Sequence, residues 1–248
     1  MRPSVIACIR AMPSATVPLI GDNNVVIPPS RGLPDATVLL NASSTTGGVT
    51  QVTASATPTA NRLQIAYVAS AAAAAVNTPT CTGQGLTWVQ VATVAYVAAN
   101  RRLTVFRALG PSATAGALTF DFGGQTQTSV CWGQLEVSQT DTTGTDGSGA
   151  IVQAPSPATV GAGIGSIAAP TLAAFEHVNN LALVISANDI SGTMTPDGAF
   201  TELTDVNIAA GNITLESQSA RNVQTCTTTF SGTTAAGGGS ISMEIKAS

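Results

Sequence analysis

From Val49 onward the chain is a succession of short runs in which apolar side chains recur at every second position, separated by Gly, Ala, Thr and Ser. Leu63-Gln64-Ile65-Ala66-Tyr67-Val68, Leu103-Thr104-Val105-Phe106-Arg107 and Leu118-Thr119-Phe120-Asp121-Phe122 all alternate in this way, and Val130 to Val137 is a further β-rich run. Period two sends neighbouring side chains to opposite faces of a strand. Each run therefore reads as a half-buried antiparallel strand. No segment carries a long i, i+3, i+4, i+7 apolar stripe, and Lys and Glu, the usual surface helix formers, are scarce. An all-β fold is expected. Aromatics make up only 4% of the residues, so its core must be built from Val, Ile, Leu and Ala.

The strand pattern occurs twice. Asn61 to Ala66 resembles Asn180 to Ile185, Gly85 to Val91 resembles Ala199 to Val206, and Arg102 to Phe106 resembles Asn212 to Glu216. Leu118-Thr119-Phe120 resembles Thr227-Thr228-Thr229-Phe230, and Cys131-Trp132-Gly133-Gln134-Leu135-Glu136-Val137 resembles Ile241-Ser242-Met243-Glu244-Ile245. The offsets run from roughly 110 to 118 residues. This predicts one antiparallel, jelly-roll-like β-sandwich over residues 46–248, with half-repeats at about 46–140 and 158–248 and one core between two sheets. Two separate small barrels are the weaker alternative, because each half would bury a thin core. The stretch from Thr140 to Pro157, rich in Gly, Thr, Ser, Asp and Pro, reads as the crossover between the halves.

Residues 1–45 differ from the rest. Pro3, Pro13, Pro18, Pro28, Pro29 and Pro34 punctuate them, and proline forces extended or turn geometry. Between the prolines lie the apolar pieces Val25-Val26-Ile27 and Val38-Leu39-Leu40. A solvated linker has no use for these, so the segment is expected to be an extended arm, with Val25, Val26, Ile27, Val38, Leu39 and Leu40 docking on a partner. Its first residues, interrupted by Arg10, make a poor signal peptide, and no run of 18 apolar residues marks a membrane span.

Charge and chemistry are mostly exclusions. Only 9% of the residues are charged, against roughly 25% in an ordinary domain, and the net charge is −4. No basic stripe is available to bind nucleic acid. His177 is the only histidine, so a multi-histidine metal site cannot be assembled within one chain. No G-x-S-x-G elbow is present, and Gly161-x-Gly163-x-Gly165 lacks the strand-turn-helix context of a dinucleotide loop. Asp141 to Gly149 lacks the ligand spacing of a calcium loop. Asp121, Glu136, Glu202, Asp205, Glu216 and Glu244 lie in no acid/base motif. No catalytic, cofactor or metal residues are assigned. The four cysteines are far apart and are expected to be buried thiols of a protein assembled in a reducing cytoplasm. If one disulfide forms, the pair is Cys131 with Cys226, since both fall in expected strands. Trp88 and Trp132 also fall in expected strands.

One resemblance adds to this reading. An N-x-L-x-[IV] strand (Asn61 to Ile65) is followed by Gly85-Leu86-Thr87-Trp88 and then by Leu103-Thr104-Val105-Phe106-Arg107-Ala108. Leu118 to Phe122 and Trp132 to Val137 complete the pattern. It resembles the jelly-roll β-sandwich modules of tailed-bacteriophage structural proteins, over residues 45–248. The resemblance implies a non-enzymatic virion protein, assembled in the host cytoplasm: a capsid decoration or accessory subunit, forming a homo-oligomer and contacting other virion proteins. The alternative is a fibre or tail-tip adhesin holding host glycan, with Trp88 and Tyr96 as the aromatic contacts. In the first reading the charge deficit is expected to be concentrated at subunit contacts.

Overall fold

The computed structural model describes residues 31–45, 47–97 and 99–248. Val25, Val26 and Ile27 lie outside the described residues.

The first half contains β1 (Asp35–Ser44), β2 (Thr50–Val52), β3 (Leu63–Ala71), β4 (Thr80–Gly83), β5 (Val89–Tyr96), β6 (Arg101–Ala108), β7 (Leu118–Asp121) and β8 (Ser129–Ser138). The second contains β9 (Ile151–Gln153), β10 (Ala158–Gly161), β11 (Ser166–Ala168), β12 (Leu181–Asn188), β13 (Met194–Thr195), β14 (Thr201–Ile208), β15 (Ile213–Arg221), β16 (Thr227–Phe230) and β17 (Gly237–Ile245). Every strand pairing is antiparallel, and the expected all-β class is observed.

Among the described residues four sheets form instead of two. In the first half a large sheet has the order β1-β8-β3-β6-β5 and a small one the order β2-β7-β4. The strands numbered 1-8-3-6 in one sheet and 2-7-4 in the other are in jelly-roll order. The second half has a large sheet β10-β17-β12-β15-β14, with β9 also on β17, and a small sheet β11-β16-β13. The two large sheets thus share one strand order, and so do the two small ones.

The layers are small, large, large, small. Leu63, Ile65, Leu103 and Leu135 of one large sheet meet Leu183, Ile185, Leu215 and Met243 of the other in the central core. Behind the first large sheet, Val68, Phe106 and Trp132 pack on Leu118 and Phe120 of the small sheet. Behind the second, Ala182, Val184 and Ala220 pack with Leu172, Phe200 and Cys226. The single core expected between two sheets is therefore corrected to a central core with an outer core on either side.

This layering also corrects the half-buried strands. All nine residues of β3, all eight of β12 and all nine of β17 are buried. Their alternation separates an aliphatic face from a mixed polar face, and a small sheet covers the mixed face. Those polar groups pair with one another. Gln134 donates to Gln64 (3.1 Å) and to Gln84 (2.7 Å). Gln64 donates to Glu136 (3.0 Å).

Hydrogen-bond register refines the correspondence between halves. Leu103 lies opposite Ala69, and Leu215 lies opposite Ala187. Leu103 therefore matches Leu215, two residues further along than the sequence match to Ile213. A two-residue slip keeps every side chain on its face, so the hydrophobic pattern does not detect it.

Two further expectations change. The sandwich starts before residue 45: Asp35 to Ser44 pair with β8, so Val38, Leu39 and Leu40 belong to the sheet. Cys131 lies in the central core and Cys226 in an outer core, and both are free thiols, as is Cys81. A Cys131–Cys226 disulfide does not form, because the second large sheet separates these two layers.

Candidate docking flank

β1 and β14 are the outermost strands of their sheets, and they run side by side along one flank. The Ser43 hydroxyl donates to the Asn207 carbonyl across the gap (3.3 Å). At one end the two strands diverge into a half-open groove of about 280 Å³, lined by Asp35, Ala36, Leu181, Thr201, Leu203 and Arg221 among others. Each strand is bulged, between Val38 and Leu40 and between Glu202 and Thr204. An unpaired edge is a template for adding strands, and a bulge interrupts it. Contacts at this flank must therefore come mainly from side chains. Leu33 is 48% exposed and Val38 40%. Leu39 and Leu40 are partly buried.

The point where the chain joins the sandwich is held firmly at the same end. Gly32 N–H donates to the Ser248 carbonyl (3.2 Å), and Leu33 N–H donates to Gln139 Oε1 (3.0 Å). Asn179 Nδ2 donates to the Arg31 carbonyl (3.0 Å). These partners come from both halves, so Arg31 is fixed four residues before Asp35, which lines the groove.

The proposed glycan aromatics are not a paired platform. Tyr96 is buried in the central core at 4% exposure, where burial raises its phenol pKa. This overturns its reading as a surface contact. Trp88 sits just before β5, not within a strand, and is half-buried against an outer core with Nε1 donating to the Gly83 carbonyl (3.1 Å). Trp132 is buried in that same outer core.

Two carboxylates have structural work that sequence reasoning missed. Glu136 accepts from Thr59 N–H (2.6 Å), Arg62 (2.9 Å) and Gln64 (3.0 Å). Glu244 accepts from Gln153 (2.6 Å), Asn180 (2.6 Å) and Glu176 N–H (3.3 Å). Each glutamate clamps the loop that leads into the central strand of its half. The only signal was their matched place in the two Leu/Met-Glu-Val/Ile runs. Asp141 accepts from Thr143 N–H (2.7 Å) and pairs with Lys246 (3.0 Å), which ties the crossover loop to the C-terminus. His177 Nδ1 accepts from Asn179 N–H (3.1 Å) within its own turn. Among the described residues no three His, Cys, Asp or Glu side chains form a metal-holding group, and no helix is long and apolar enough to cross a membrane.

Fold and flank together define an antiparallel β-sandwich protein. No family model, no curated protein and no solved structure matches the chain.

Proposed function

We propose that this is a non-enzymatic virion structural protein, a decoration or accessory subunit that adds to a particle through residues 1–30 and the β1/β14 flank. The observation that carries the reading is the anchoring of Arg31 by Asn179, close in the chain to exposed Leu33 and Val38 on the β1 side of the flank. A segment leaving from a fixed point loses less entropy on docking than one tethered by a slack linker. The bulged edges suit a subunit that joins a preformed surface, because they oppose open-ended strand addition. The resemblance to tailed-phage modules points the same way. The glycan-binding alternative loses Tyr96 as a contact.

Co-sedimentation with particles of the encoding phage tests this. Deleting residues 1–30 leaves β1 intact and is expected to abolish binding while the sandwich keeps its circular dichroism and unfolding midpoint. Val38→Lys is expected to weaken binding without unfolding the protein. Wild-type occupancy of the truncated, folded protein would refute the reading. Native mass spectrometry reads the expected homo-oligomer directly.

A further inference from the structure

We propose that the second half holds a divalent hard cation, Ca²⁺ by preference, between the large sheet and the small sheet, on Glu216, Asp205 and Gln218. This site is independent of the docking flank's function.

The argument begins with register. Asp205 on β14 lies directly opposite Glu216 on β15, and Gln218 is two residues beyond Glu216 on the same face. Leu215 points into the central core, so Glu216 and Gln218 point the other way, toward the small sheet. Contacts confirm the direction. Asp205 Oδ2 accepts from Met194 N–H on β13 (3.0 Å), and Gln218 Nε2 donates to Thr228 Oγ1 on β16 (2.6 Å).

What remains on this face is a set of buried acceptors without donors. Among the described residues, Glu216 Oε1 and Oε2, Gln218 Oε1 and Asp205 Oδ1 all lack a hydrogen-bond partner. Glu216 and Gln218 are 0% exposed. Among the described residues, the titratable groups that face Glu216 are Glu202 and Asp205 on β14 and Cys226 beside β16, none of them a cation. Burying carboxylates without donors or counter-charge is strongly unfavourable, so the charge must be neutralised by a proton or by a cation. Without a cation, burial first, and then Glu202 and Asp205, push the Glu216 carboxyl up to about 8 from its ordinary 4.5.

The first half is an internal control. Register places Thr104 where Glu216 stands and Thr93 where Asp205 stands. Those hydroxyls bond each other at 2.9 Å, and Phe106 occupies the Gln218 position in an apolar outer core. The same strand order therefore folds there without any acid. Two carboxylates and an amide oxygen match the oxygen preference of Ca²⁺, which tolerates irregular geometry and completes its shell with water. Mg²⁺ demands a stricter octahedron. The way in is the free edge: Glu202 is exposed on β14, Asp205 is half-buried, and Glu216 lies deepest.

The test is thermal unfolding of EDTA-stripped full-length protein at pH 8, titrated with CaCl₂, alongside equilibrium dialysis against Ca²⁺. The expected result is one Ca²⁺ per chain and a midpoint rise of about 5 to 10 °C once Ca²⁺ exceeds its Kd about 100-fold. Glu216→Gln and Asp205→Asn are expected to lose this response. Glu216→Gln should also unfold above the stripped wild type at pH 8, since it has no charge to bury. Absence of bound Ca²⁺ in the wild-type dialysis overturns the proposal, whether or not the variants fold. So does a Ca²⁺ response that survives undiminished in folded Glu216→Gln.

Discussion

Gly133 lies opposite Tyr67 in the β8–β3 register, at the centre of the molecule. A Cβ added there would stand 2.3 Å from both Cζ and Oη of the Tyr67 ring. Carbon atoms in contact prefer about 3.5 to 4.0 Å, so the ring would have to move by more than about 1 Å. Tyr67 is 0% exposed and has nowhere to go. Its hydroxyl also bridges the two large sheets, 2.8 Å from Thr204 Oγ1 and 3.0 Å from Ser217 Oγ. Displacing the ring breaks that bridge. Overpacking costs about 1 to 3 kcal/mol, and leaving buried hydroxyls short of a partner adds about 1 to 2 kcal/mol. Gly133→Ala is therefore expected to destabilise by about 3 kcal/mol, which for a chain of this size lowers the midpoint by about 6 to 12 °C. Urea unfolding measures this, within a double-mutant cycle against Tyr67→Leu. Leucine removes the ring and the hydroxyl together, so Gly133→Ala should cost less than about 1 kcal/mol in that background. If the two costs add within about 0.5 kcal/mol, the close approach of Gly133 and Tyr67 is not what the glycine serves.

Acid should expose the carboxylate clamps. Burial opposes ionisation of Glu136, but hydrogen bonds from Thr59, Gln64 and Arg62 outweigh it and hold its carboxyl below the ordinary 4.5. Hydrogen bonds from Thr143, and then Lys246, hold Asp141 down to about 2 from 3.8. A depressed folded-state pKa stabilises above the unfolded value and is lost as pH falls through the folded one. Midpoints should therefore drop below about pH 4.5, and Glu136→Gln should flatten that limb; an unchanged limb would contradict the clamp. Burial pushes the Cys131 and Cys226 thiols up to about 12. Neither should react with a thiol reagent at pH 8 until the chain is unfolded, and peptide mapping after native labelling checks this. Rapid native labelling of Cys131 would mean that the central core opens.

Period-two alternation, with nothing helical to compete, was enough to read β3, β6, β7 and β8 and their antiparallel pairing. Local spacing carries this information because side-chain direction in a strand depends only on position parity. Parity does not say what covers a face. Half-buried strands were expected, and tertiary structure instead buried both faces of β3, β12 and β17. Tyr96 was mistaken for a surface aromatic because nothing local shows that the second large sheet covers the face of β5 that carries it. For the same reason Glu216, one acid among thirteen in the sequence, emerged as a buried, donor-less carboxylate only once β14, β15 and β16 were in place. The sequence alone determined which residues form strands and which side chains share a face. Only the packing of four layers decided which faces meet water, because burial depends on contacts between residues a hundred or more positions apart.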